Sequence, residues 1–358
     1  MKRLLLLILL ALLLACPAYA ADLSEALGIP EIADAAPAGS AEAVGDPDVA
    51  DADLGSGLEA LLRFAAGKLP EAAREVLKPL AAIVAVTLLC AAAEAFTGSQ
   101  GADTVAFAGC LAIAVVGAQD VKGVLALGGE TLHTLRDFSR VLLPTLTTAA
   151  AASGSVSTAG ATWAAAAMFS DLLLSAAENL LLPLIGGMTA AAAACAVLGE
   201  RRLDGAVRLL QWLSRALLRG LAMAFTAYLG VTRTLGMQAD AAAAKTVKAV
   251  LSNTLPVVGR LLSDASEALV AGAGLLRMSV GVYGMLITLS AVCLPVLRLG
   301  LRWLLFRAAA AVCAGIAGER QGTLISRLGT ACGLILGLVS VAAAAVFLSI
   351  ISLIRTVT

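Results

Sequence analysis

From residue 79 onward the chain is a succession of apolar runs, near 79–97, 103–119, 160–180, 181–198, 213–233, 270–297, 299–317 and 329–354, each close to the length a helix needs to cross a bilayer core. Backbone inside hydrocarbon must satisfy its own hydrogen bonds, which confines such runs to helices. The balance of the chain agrees: 60% of residues are hydrophobic and 14% charged, with mean hydropathy +0.94, where soluble domains carry roughly 25% charged residues. These observations predict an all-α, polytopic integral membrane protein. The segment 141–159 is long enough to cross, but Pro144, Gly154 and its Ser and Thr residues suit a broken or re-entrant helix, so the expected number of spanning or re-entrant helices is seven to nine. Many of the runs are built from Ala and Gly, which let helix backbones approach closely and point to self-association as a homo-oligomer.

The first residues resemble an export signal. Lys2 and Arg3 precede the apolar run 4–14, and Ala18-Tyr19-Ala20 forms an A-x-A site, predicting cleavage after Ala20. A lipoprotein reading, with Cys16 as the modified residue, fits less well because of Leu14 and Pro17. Residues 21–55 are rich in Ala, Asp, Glu, Gly and Pro and are expected to form a flexible exported linker. Over 56–78, apolar residues recur at helical spacing among Arg63, Lys68, Arg74 and Lys78, predicting an amphipathic helix in the membrane interface with a kink at Pro70. The remainder, 79–358, is the membrane domain.

Two further amphipathic stretches lie between the runs. Val121, Val124, Leu125, Leu132, Leu135 and Phe138 form a stripe with Lys122, Glu130, His133, Arg136 and Arg140 as its polar complement, as expected of a helix on a membrane or a partner. In the basic connection 200–219, Arg201, Arg208 and Arg215 repeat every seven residues opposite Leu203, Leu210 and Leu217, a candidate face for lipid or a cytoplasmic partner. The positive-inside rule puts this connection in the cytoplasm; with an exported start and a crossing at 141–159, the C-terminus is expected inside.

Catalytic chemistry has little support. His133 has no second histidine or cysteine cluster near it, no Walker sequence is present, and the cysteines within spans lack CxxC spacing. Neither an enzyme nor a cofactor or metal is expected. A zero formal net charge and 4% aromatic residues argue against a nucleic-acid partner. Asp171 and Glu178 are the notable carboxylates: seven residues apart on one expected helix, they suit a polar path, an internal ion pair, or a turn before Pro183. A polar island, 240–268, interrupts the apolar sequence with Asn253, Pro256, Gly259, Arg260, Ser263 and Asp264, a candidate gate segment or partner contact, or simply a solvated cap and loop.

The run Asn253-Thr254-Leu255-Pro256-Val257-Val258-Gly259-Arg260, continued by Ser263-Asp264-Ala265, resembles the stage III sporulation protein AE family of endospore-forming bacteria. Thr246-Val247-Lys248, Leu143-Pro144 and the basic connection near Arg201 to Leu210 support the resemblance. It implies a multi-pass protein of the mother-cell membrane around the forespore. It also implies partnership with the other stage III sporulation A proteins and, across the intermembrane space, with stage II sporulation protein Q. The implied assembly is a channel or secretion-like complex, in which this chain would be an export gate or platform. The residues alone leave two other readings open, a self-contained solute transporter and a pore-less membrane scaffold.

Overall fold

The computed structural model describes residues 35–37, 54–152, 156–199, 203–228, 258–313, 315–316 and 318–355. Among these there is no strand. The helices are α1 (Leu54–Ala152), α2 (Val156–Ala176), α3 (Leu182–Leu198), α4 (203–228), α5 (Val258–Cys313) and α6 (Glu319–Arg355), with a π-helical turn, Ala177–Leu181, joining α2 to α3.

Helical pairing runs unbroken through the 99 residues of α1, yet α1 is not a straight rod. Straight helix would separate Cys90 from Gly109 by about 28 Å, whereas a Cβ built on Gly109 would lie 2.5 Å from the Cys90 sulfur. Arg302 likewise reaches both Glu75 and Asp120. The helix therefore folds back between two arms, Leu54–Phe96 and Asp103–Thr148. At the next connection Gly199, at φ 68°, ends α3 with its N–H on the Cys195 carbonyl, a left-handed cap that a side chain would strain.

Contacts fix the relative directions. Arg320 packs over Gly199 and pairs with Asp103, and Gly318 faces Glu94, so the bend of α1, the α3–α4 connection and the α5–α6 connection gather at one end. At the other end Gly57 and Gly284 pack against Leu286 and Leu142, and Gly281 against Ile354. The start of α1 and the end of α6 thus lie at the same end, opposite the α3–α4 connection. An exported start together with an internal C-terminus does not fit this arrangement.

Among the described residues, five helices are long and apolar enough to cross a membrane, Leu54–Phe96, Asp103–Thr148, Ala164–Leu198, Val280–Cys313 and Glu319–Ser352, where seven to nine are expected of the whole chain. The polytopic all-α class holds, and the difference in number has a physical cause. The runs 160–180 and 181–198 are one helix, because the π turn passes Pro183: the Leu182 N–H reaches back to the Ala177 carbonyl, five residues away, instead of leaving a broken ladder at the proline. The runs 270–297 and 299–317 likewise join in α5, which continues through Pro295 and carries Arg298 and Arg302 inward. Pro144 does not end its helix, and Thr145 and Thr147 hydroxyls donate to the Val141 and Leu143 carbonyls in the turn around it.

The two amphipathic stripes differ: in the first, Leu58, Leu62, Leu69 and Leu77 stay exposed, while the second faces the bundle. Leu61, Ala72 and Val76 are buried in the first arm, Leu61 against Leu286, and this segment continues directly into 79–96. Val121, Val124, Leu132, Leu135 and Phe138 are all at most 2% exposed, so the second stripe meets neighbouring helices rather than a membrane surface. Small residues make the contacts close: a Cβ on Gly117 or Gly128 would fall within 2.7 Å of Leu328 or Ile335 of α6.

Candidate functional site: ion-pair layers inside the bundle

The deepest charges form a layer that joins both arms of α1 to α5. Arg298 and Arg302 sit one turn apart and project from the same side of α5. Arg302, its side chain 8% exposed, donates to Glu75 at 2.8 Å and to Asp120 at 3.3 Å, and Arg298 lies 3.5 Å from Glu75. Asp120 is 5% exposed and its second oxygen, Oδ2, has no protein partner. Removing such a pair from water costs several kcal/mol per ion, which only close opposite charge offsets. Glu75, at 44% exposure, stands at the edge of the layer and keeps contact with solvent.

A second layer lies about 24 Å away along the second arm, from the sixteen-residue separation of Asp120 and Arg136 at 1.5 Å each. Here Arg136 donates to Glu178 at 2.7 Å and stands 3.6 Å from Asp171, which also accepts from Arg140 at 2.8 Å. The two carboxylates singled out by sequence are therefore brought together, on cations of another helix. The π turn contains Glu178, so the local widening that accommodates Pro183 also sets the height of this carboxylate. A cavity of about 150 Å³ lies beside the layer, lined by Ser139, Arg140, Leu143, Pro144, Ala167 and Asp171.

The third connection is Asp204 of α4, which accepts from Arg327 of α6 and pairs with Arg208 at 3.1 Å. Arg208 thus belongs to an ion pair, and Arg215 lines a separate cleft with Trp303 and Arg307. Arg201, Asn253, Pro256 and the cleavage site at Ala20 lie outside the described residues. Gly259, Arg260, Ser263 and Asp264 fall on the N-terminal extension of α5, where only the helical path is described. His133 is exposed, with Nδ1 2.8 Å from Asp137 one turn on. The described cysteines are unbridged thiols.

Sequence reading passed over Glu75, Asp120, Arg298 and Arg302. Their one local signal is the pair of arginines four residues apart between two apolar runs, a spacing that puts both on one face of a helix and calls for acidic partners elsewhere.

No curated protein and no solved structure matches this chain. The profile of the stage III sporulation protein AE family matches residues 49–357, taking in every helix described above. The chain belongs to the stage III sporulation protein AE family and is a membrane protein with a role in stage III of sporulation.

Proposed function

We propose that the chain is a gate or platform subunit of a secretion-like channel between mother cell and forespore, seated in the mother-cell membrane, without enzymatic activity of its own. It would work beside the other stage III sporulation A proteins, with stage II sporulation protein Q on the far side of the intermembrane space, and as a homo-oligomer.

One observation carries the reading. Beyond the height where Gly128 meets Ile335, α6 is apolar over 341–348, while the arms of α1 expose Glu59 and Arg63 on one side and Glu130, His133 and Asp137 on the other. Charged surface facing lipid at the depth of an apolar helix is costly, so the α1 flank belongs against water or protein. A lone bundle in a bilayer has no such environment; a subunit of a larger assembly around an aqueous path does.

Single cysteines at Glu130, His133, Asp171 and, as a lipid-facing control, Leu348 test this in a variant lacking native cysteines. With an impermeant thiol reagent, the α1 positions and Asp171 are expected to label in membranes holding this chain alone, and Glu130 and His133 to become protected when the partner proteins are co-expressed. Unlabelled α1 positions in both membranes would overturn the reading.

A further inference from the structure

Arginines inside this bundle are paired. Arg136, Arg298, Arg302 and Arg327, all less than a third exposed, meet carboxylates, and so do the more exposed Arg140 and Arg208. Arg215 of α4 and Arg307 of α5 are exposed and, like Arg74 and Arg219, have no carboxylate partner among the described residues; these two line the same cleft of about 400 Å³ between α4, α5 and α6. The volume falls in the range of small-ligand sites.

The cleft exists because α6 carries no side chain where its neighbours approach. A Cβ on Gly333 would lie 2.7 Å from the Trp303 ring, and one on Gly337 3.1 Å from Leu218, so these side chains pack onto the two glycines and the floor between them is α6 backbone with Leu334 and Leu336. The lining is mixed: Trp303, Leu334 and Leu336 are apolar, Thr330 and Ser340 carry hydroxyls, and Arg215 and Arg307 make the cleft doubly cationic. Trp303 stays 38% exposed beside the cleft, and Trp212, 64% exposed, sits three residues from Arg215 on α4. Exposed tryptophan next to arginine is the composition of a membrane–water boundary, where the ring sits at headgroup level and the cation meets phosphate.

We propose that this cleft is a binding site for an acidic phospholipid, its phosphate held between the Arg215 and Arg307 guanidinium groups and the first part of an acyl chain lying along the Gly333–Gly337 floor. Tryptophan and leucine surface beside the cations favours an amphiphile over a soluble anion, and two cations without acidic partners favour a net negative headgroup over a zwitterionic one. The site is independent of the gate reading: it requires only that the bundle sit in a membrane.

The test uses the purified full-length chain in a neutral detergent, with retained lipid counted by native mass spectrometry against added phosphatidylglycerol or phosphatidylcholine. Phosphatidylglycerol is expected to be retained preferentially. Arg215→Gln with Arg307→Gln should weaken its retention about thirtyfold, taking roughly fivefold for each cation near an acidic lipid. Arg74→Gln and Lys122→Gln, at exposed cations away from the cleft, should change it less than about twofold on the same additive scale. Arg215→Lys with Arg307→Lys keeps both charges and should keep the preference. Equal retention of the two lipids, equal loss in the control variants, or loss in the lysine variant would overturn the proposal. Full displacement by soluble glycerol phosphate would assign the cleft to a free phosphate compound and overturn the lipid as occupant.

Discussion

Replacing Arg302 by glutamine should be among the most damaging single changes in the bundle. The guanidinium is the only hydrogen-bonding partner that the described residues give to Asp120, which is 5% exposed and already has one oxygen without a partner. Removing it leaves a largely buried carboxylate without its cation, for which about 3–5 kcal/mol is the usual loss. Glu75 offers a comparison within the same cluster. Its bond to Arg302 is shorter, 2.8 Å, yet it is 44% exposed, so Glu75→Gln should cost no more than about 1 kcal/mol. Distance alone would rank the two pairs the other way; burial decides. Adding Asp120→Asn to Arg302→Gln removes the stranded charge, so the double variant should be at least as stable as Arg302→Gln alone, with a coupling of about 2 kcal/mol across the cycle. Unfolding in detergent micelles by titration with sodium dodecyl sulfate, followed by circular dichroism, gives the four stabilities needed. Additive effects of the two substitutions, or an Arg302→Gln loss below about 1 kcal/mol, would refute the claim that this layer is desolvated and coupled.

Glycines separate by what surrounds them: Gly109→Ala brings a methyl within 2.5 Å of Cys90 and Gln321 and should cost about 1–3 kcal/mol, whereas Gly123→Ala meets nothing within 4 Å and should stabilise by up to about 1 kcal/mol in the same titration. In the second layer Glu178→Gln should lose about 1.5–3 kcal/mol, because Arg136 is only 15% exposed, while Asp171→Asn, at a half-exposed carboxylate, should lose less than about 1 kcal/mol; a reversed order in the titration would contradict the assigned pairs. Compartment-sensitive reporters inserted after Gly199 and after Gly315 should report the same side of the membrane, and one fused after Thr358 the other; agreement of all three would break the arrangement of the helix ends.

The helical membrane class was legible because apolar runs of spanning length leave few alternatives in lipid. Asp171 and Glu178 were legible too, since two carboxylates seven residues apart fall near one face of a helix, and Arg136 does meet both. The joining of runs was not. Pro183 reads as punctuation by its missing N–H, but a π turn absorbs it, and the runs 270–297 and 299–317, set apart at Arg298, continue as one helix in α5. The stripes at 58–77 and 121–138 show that an apolar face exists, and periodicity is silent on whether lipid or another helix covers it. The Arg302 layer had the least to offer a linear reading: its partners stand 182 and 227 residues away, and nothing local names them.

The two layers also differ in the motions they allow. Arg302 and Asp120 are locked together, because parting them leaves largely buried charge without its partner. In the second layer the charges are shared: Asp171 lies near both Arg136 and Arg140, and Arg136 near both Asp171 and Glu178, so a sliding of α2 past the second arm leaves Arg136 and Asp171 each with a partner. Asp171 is half-exposed beside the cavity, and the π turn supplies helix backbone already departing from ideal geometry. Displacement is therefore cheap between the second arm of α1 and the α2–α3 helix and expensive between α1 and α5. On the gate reading proposed above, the fixed frame falls to the Arg302 layer and the moving seam to the Arg136 layer, so Asp171, rather than the more deeply buried Asp120, is the position where a cysteine tests for an aqueous path.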